Sequence, residues 1–270
     1  MDKTILKKVL ITTGLSRVEL DRQIAFLYAA NKPKESVFNL LNGEVLQSIK
    51  VQCTGIGEIT NAFGEFIQYS FLLDDIWSEY SVLVRADEFN EKGLPKFKMK
   101  DYFLTRFDSH CETQMLFGDK TCDCKSQLYL AMEKIANRGE GAIVHIKKHE
   151  GRGKGIESKL DQLRLCSRLG IDTVLASQLR AELIEGIDNA AELPAIAVID
   201  KRDFLGCVAI LEYLNVPKNI KLLLQTNNPM KMKPLLDNGY SCKFYNIHTT
   251  PNEMNIKHLE AKKRELNHKL

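Results

Sequence analysis

Three of the chain's seven cysteines fall in one short stretch, RFDSHCETQMLFGDKTCDCKSQ, where Cys111 stands alone and Cys122 and Cys124 flank Asp123. Thiolates are soft ligands that suit zinc, at about 2.3 Å per Zn–S bond. A water in the fourth position makes such a site catalytic, because zinc lowers the pKa of that water to about 7. A fourth protein ligand makes it structural, and three cysteines that never meet make it no site at all. No further cysteine follows at a C-x-x-C spacing, so all three readings stand. Residues i and i+2 share a side on an extended segment but diverge on a helix, so the CDC pair belongs to a strand or turn. A helix should follow at once, since Leu128, Ala131, Met132 and Ile135 recur at helical spacing and Gly139 offers a stop.

A second chemical stretch is the turn HEGRGKG, which follows the apolar run AIVHIKK and precedes a helical pattern over 156–169. Strand, glycine turn and helix is a layout that binds phosphates through backbone N–H groups. Arg152 adds positive charge, while the carboxylate of Glu150 suits paired N–H donors such as N1–H and N2–H of guanine. Asp200 and Arg202 in DKRDF read by themselves as a surface pair capping a helix over 204–214. In TNNPMK, Pro229 suits a first helical turn and Thr226 can donate to a phosphate.

Taken in order, C-x10-C-x-C behind Arg106 and Ser109 with Gln127 after it, EGRGKG, IDT (171–173), DKRDF and TNNPMK resemble the GTP cyclohydrolase II family. That family comprises zinc enzymes that open the imidazole ring of GTP early in riboflavin synthesis. The resemblance covers 54–245 and omits the first fifty or so residues. It implies one zinc ion per subunit on Cys111, Cys122 and Cys124, Mg2+ with the substrate phosphates, and a homodimer. Substrate contacts are implied for Arg106, Ser109, Gln127, Glu150, Gly151, Arg152, Thr173, Thr226 and Lys231. Asp200 becomes the proton acceptor, and Arg202 handles the α-phosphate, in the family as a proposed nucleophile. Guanidinium is a poor nucleophile at neutral pH, so chemistry favours an electrostatic clamp.

Three residues depart from the family pattern. Leu163 replaces a tyrosine near the purine, Asp108 stands where a histidine is usual, and His110 where the family has glutamate. An alkyl chain at 163 donates no proton, so ring opening is expected to survive while deformylation slows. The expected product is then an N-formyl pyrimidine nucleotide monophosphate. The rival reading has His110 complete a closed Cys3His structural zinc, leaving an altered paralogue that binds a guanine nucleotide.

The elements that must position these residues point to a mixed α/β fold, a mixed sheet flanked by helices. We expect a helical extension over 1–50, a catalytic domain over 51–247 and a charged helical tail over 248–270. In the extension, Ser16 and Glu19 form a capping box for one helix, and 35–46 reads as a second. Strands follow over 50–84, with Trp77 in the core, then a loop over 91–100 and a strand over 102–107 that delivers Cys111. In the helix over 156–169, Leu160, Leu163 and Cys166 should face inward, with Gly170 as stop. Residues 173–176 read as a strand, 182–194 as an inserted helix and loop, 220–225 as a strand, and 253–267 as an exposed helix. His145 reads as a core histidine.

Composition narrows the class. The 270 residues carry a net charge of +3, which draws a polyanionic small molecule but is too small and dispersed for nucleic acid. The lysines at 96–100 and the basic residues at 262–264 read as solvated surface. No run of 18 apolar residues occurs, which argues against a membrane span. With an odd number of cysteines in no regular framework, the expected home is cytoplasmic.

Overall fold

The computed structural model describes residues 3–31, 34–98, 101–190 and 192–269. Pro33 and Lys100 lie outside the described residues, as does the side chain of Trp77. Two helices come first, α1 (Lys3–Thr13) and α2 (Arg17–Asn31), and four long strands follow: β1 (Lys34–Asn42), β2 (Val45–Asn61), β3 (Gly64–Leu73) and β4 (Asp75–Arg85). A small ladder, β5 (Glu88–Phe89) with β6 (Pro95–Lys96), leads to β7 (Tyr102–Ser109), α3 (Glu112–Met115), α4 (Cys124–Arg138) and β8 (Gly141–Ile146). A 3-10 turn over Lys147–Gly153 precedes α5 (Gly155–Leu169), α6 (Thr173–Glu185), α7 (Ala195–Ile199) and α8 (Leu205–Tyr213). Then come β9 (Lys221–Gln225), α9 (Lys233–Asp237), β10 (Cys242–Tyr245) and α10 (Ile256–Leu266).

One eight-stranded sheet has the order β1-β2-β3-β4-β8-β7-β9-β10. It is antiparallel from β1 to β8 and parallel from β8 to β10. β3 alternates between buried and open positions, whereas β7 is buried along nearly its whole length, as a parallel strand covered on both faces must be. Phe103 and Phe107 of β7 join Val144 and Ile146 of β8 and the apolar α8 in the main core. Leu104 and Ile143 point the other way, onto Ala131, Met132 and Ile135 of α4. The mixed sheet with flanking helices is the architecture expected from the sequence.

Other local expectations also hold. Ser16 N–H donates to Glu19 Oε2 at 3.0 Å, and Glu19 N–H donates to Ser16 Oγ at 3.2 Å, a complete capping box ahead of α2. Gly139 and Gly170 close α4 and α5.

Several expectations are corrected. Residues 35–46 form a hairpin, not a second helix. Val37, Leu40, Leu41 and Val45 fit helical spacing, yet Phe38 and Leu40 alternate inward while Val37 stays open, and Gly43 and Glu44 make a two-residue turn. Residues 173–176 begin α6, because Asp172 Oδ1 accepts from the N–H groups of Val174 and Leu175 as an N-cap. On α5 the buried residues are Ser158 and Gln162, while Leu160 is 52% exposed. That helix turns a polar face inward, so apolar spacing pointed to the wrong side. The insertion is α6 running on to Glu185, a loop, and α7. The carboxyl-terminal helix is packed: His258, Leu259, Ala261 and Leu266 are buried, and Ala261 and Leu266 share a small core with Val174, Ala181, Val198 and Ile199.

Gly206 is where α8 meets the sheet most tightly. A Cβ there would fall on the Tyr80 hydroxyl and lie 2.8 Å from Leu73 Cδ2. Gly206→Ala should therefore lower unfolding free energy by about 1–3 kcal/mol through overpacking. Urea titration followed by circular dichroism reads this, and an unshifted midpoint would refute the close contact.

Candidate functional site

The chain leaves β7 for β8 on one side and returns to β9 on the other, so the loops after these strands part. A crevice at the carboxyl ends of parallel strands, where the order reverses, is the usual ligand position in such sheets. The cleft found there encloses about 1160 Å³ including its solvent-open mouth, ample for a nucleotide.

Register builds its floor. Arg106 and Asp108 share the face of β7 that turns toward α4, and Asp108 pairs in register with His145 of β8. Asp108 Oδ1 accepts from Arg106 Nε at 2.9 Å, and Asp108 Oδ2 lies 2.8 Å from His145 Nδ1. Arg106 also donates to Gln225 O at 3.1 Å and to Gln127 Oε1 at 3.2 Å. Burial works against the Asp108 charge, but Arg106 and His145 outweigh it and hold the carboxyl below its usual range. His145 is thus a bonded member of the floor, its Nε2 lying 3.2 Å from His110 Nδ1.

The three cysteines meet at one side of the cleft. Their sulfurs lie within 4.8 Å of one another, and Cys111 Sγ is 3.5 Å from Cys122 Sγ. Tetrahedral Zn–S bonds of about 2.3 Å would separate sulfurs by about 3.8 Å, so the donor set fits zinc. The turn is fixed from both ends: Gln114 of α3 donates to Cys122 O at 2.7 Å, and Asp123 accepts from Gln127 Nε2 at 2.7 Å and Thr249 Oγ1 at 2.8 Å. Hydrogen bonds from Cys122 and Cys124, assisted by Lys159, hold the Cys111 thiol far below its usual range, whereas Cys122 is pushed up to about 11 by Cys111 beside it. Among the described residues the metal-type cluster contains these three cysteines alone, and His110 is not part of it.

Glu150 lies just behind the lining. Its Oε2 accepts from Glu112 N–H at 2.6 Å, and its Oε1 pairs with Lys159 Nζ at 3.0 Å; that ammonium is also 2.9 Å from Cys111 Sγ. Asp200 is likewise set back, bound to Arg202, whose Nε donates to Asp200 Oδ1 at 2.8 Å. Arg202 reaches forward to Ser109 Oγ at 3.5 Å. The EGRG and DKRDF segments are locked together, since Lys201 N–H donates to Arg152 O at 3.0 Å and a Cβ on Gly153 would lie 3.1 Å from the Lys201 carbonyl carbon.

Also lining the cleft, partly buried Arg152 and buried Lys231 have no carboxylate ion-pair partner among the described residues. Arg152 donates to Ser177 Oγ at 2.8 Å and Thr173 Oγ1 at 3.4 Å, and Lys231 donates to Phe107 O at 2.6 Å. Burial, followed by the like charges of Arg106 and Arg202, pushes Lys231 down to about 7. Buried cations left in this state are complementary to an anion. Thr226, at the end of β9, borders the same space, and its Oγ1 accepts from Asn228 N–H at 3.0 Å.

Of the residues nominated from sequence, Arg106, Ser109, Cys111, Cys122, Cys124, Gln127, Gly151, Arg152, Thr173, Arg202, Thr226 and Lys231 line the cleft, along with Leu163. Sequence reasoning gave no role to His149, Asn228, His258 and His268 and read Lys262 as solvated surface, yet all five line the cleft too. His149 stood inside the HEGRGKG motif, where its buried and unpartnered Nε2 could not be foreseen. The last three residues carry no motif.

The GTP cyclohydrolase II family model matches residues 58–243. The chain belongs to that family. It is 29% identical over 232 residues to the GTP cyclohydrolase-2 of Streptomyces coelicolor, covering 86% of this chain and 92% of that protein. It is 32% identical over 212 residues to the GTP cyclohydrolase-2 of Pseudomonas syringae pv. tomato, covering 78% and 89%. It is also 33% identical over 240 residues to riboflavin biosynthesis protein RibBA of Mycobacteroides abscessus, where it spans 87% of its own length and 51% of that longer protein.

A lysine held near pH 7 opposes folding while charged, so its cost is full below about pH 7 and fades as pH rises toward the unfolded value of about 10.4. An anion bound beside it reverses the shift. Binding of inorganic tripolyphosphate at pH 8 should therefore take up protons, approaching one per chain, and Lys231→Met should abolish the uptake. Titration calorimetry in buffers of different ionisation enthalpy measures it, and a buffer-independent heat would count against the assignment.

Proposed function

We propose that this protein is a zinc-dependent hydrolase that opens the imidazole ring of GTP at C8 and releases pyrophosphate. The observation that carries the reading is the presence, in one cleft, of three convergent thiols and of Arg152 and Lys231, cations without an ion-pair partner among the described residues. Family membership adds the substrate class. Zinc held by Cys111, Cys122 and Cys124 would supply an activated water at neutral pH.

The chain's own residues divide the remaining work. Arg152, Lys231 and Thr226 hold the phosphates, and Arg202 acts as a clamp whose guanidinium is oriented by Asp200 through two bonds. Two nitrogens of Arg202 are thereby engaged, which supports the electrostatic role over attack on phosphorus. Glu150, with Lys159, braces the wall beside Cys111. Asp123, the one acidic residue lining the cleft among those described, already accepts two hydrogen bonds. Mg2+ is therefore assigned to the substrate phosphates and not to a protein carboxylate.

Leu163 governs the product. Its side chain lines the cleft and offers no proton, so the second hydrolysis, which would release the formyl group as formate, is slowed and the product is the N-formyl pyrimidine nucleotide monophosphate. The expected division at 50 is corrected, because β2 runs through that position and Leu40 and Ile49 belong to the main core. Homodimer formation and a cytoplasmic setting belong to the same proposal. They are supported by family membership, by seven free cysteines, and by the absence, among the described residues, of a helix long and apolar enough to cross a membrane.

Incubation with GTP should abolish the purine absorbance and release pyrophosphate, with formate well below one equivalent. Leu163→Tyr should raise the formate yield, and Cys122→Ser should remove both zinc and turnover. Stoichiometric formate from the unaltered protein would reject the N-formyl product, and unchanged purine absorbance in zinc-loaded protein would reject ring opening.

A further inference from the structure

The carboxyl-terminal segment lies beyond the matched span 58–243, yet it walls one end of the cleft. It is anchored at two points. Ala261 and Leu266 sit in the small core with Val174 and Ile199, and Lys269 N–H donates to Asn227 O at 2.9 Å, tying the residues after α10 to the loop after β9. This packing presents His258, Lys262 and His268 to the cleft alongside Arg152, Arg202 and Lys231.

The polar groups of this wall are unspent. His258 is 9% exposed, and its buried Nδ1 has no hydrogen-bond partner. Lys262 has no ion pair among the described residues. Burial, and then the nearby charges of Lys262, Arg202, Lys231 and Arg152, push the His268 imidazole down to about 3, so four cations from four segments act on one point of the cleft. Arg202 alone of the four has a carboxylate partner, Asp200, among the described residues. Positive charge gathered in this way, with an orphaned imidazole beside it, matches an extended polyanion and exceeds what one phosphate group requires.

We propose that α10 and the residues after it form the outer wall of the phosphate subsite, where Lys262 Nζ takes the outermost phosphate of a nucleoside triphosphate. The strap thereby reads the length of the phosphate chain. The assignment deepens the GTP reading and rests on it for the identity of the nucleotide.

Lys262 is half-buried and free of structural bonds, so Lys262→Gln should fold normally, with Lys263→Gln as an exposed neighbouring control. In the unaltered protein, tripolyphosphate should bind about tenfold or more tightly than pyrophosphate by calorimetry, the scale of one charge-assisted contact. Lys262→Gln should erase that preference and raise the KM for GTP by a similar factor while leaving kcat within about twofold; Lys262→Arg should restore both. Turnover of GTP with an unchanged preference and KM in Lys262→Gln would overturn the strap while sparing the ring-opening reading. A Lys262-dependent preference for tripolyphosphate without GTP turnover would uphold the strap and sink the other.

Discussion

The ion pair between Arg106 and Asp108 is the constraint on which the site depends. Both side chains are almost wholly buried, and such a pair is tolerated only when its remaining donors and acceptors are satisfied. Here they are. Gln225 O from β9, Gln127 from α4 and His145 from β8 complete the set, so one salt bridge fastens three parallel strands and a helix at the end where the chemistry lies. Breaking a buried pair of this kind costs about 3–5 kcal/mol. The backbone that leaves β7 is correspondingly fixed, and it carries Ser109 and Cys111 into the cleft.

The cleft sets two charge demands side by side. The three thiols, with Lys159 beside Cys111, make a donor set suited to a dication, and Arg152 and Lys231 make a set suited to a polyanion. Each half is poorly compensated alone, and burial together with the like charges of Arg106 and Arg202 accordingly pushes Lys231 down. A ligand carrying a phosphate chain at one end and an electrophilic carbon at the other satisfies both halves at once. Preorganised charge of this sort accelerates reactions because nothing has to reorient when the transition state forms.

Much of this was legible in the sequence because it resides in local pattern. The C-x10-C-x-C spacing, the glycine turn and the two later motifs located the thiols and most of the cleft lining. Alternation and helical spacing gave β3, β7, β8, α4 and α8. What stayed hidden depends on contacts distant in sequence or on competing local signals. Asp172 as an N-cap decides for helix at 173–176, although Val174 and Leu175 resemble a strand. Residues 35–46 fit two periodicities, and the sheet edge selects one. The inward face of α5 is polar because it borders the cysteine site and the cleft, so an apolar moment misplaces Leu160. The partners of Glu150 and Asp200, which draw both carboxylates behind the lining, follow from geometry that no motif encodes.

The small core that joins Val174, Ala181, Val198 and Ile199 to Ala261 and Leu266 has a consequence for biogenesis. Its two halves lie far apart along the chain, and the later half is synthesised after every strand of the eight-stranded sheet. During synthesis the nascent polypeptide can complete that sheet while α6 and α7 still lack their covering helix. Translation of α10 then closes the cavity, so an abortive product stopped before this helix would keep its three clustered cysteines but lack a finished cleft.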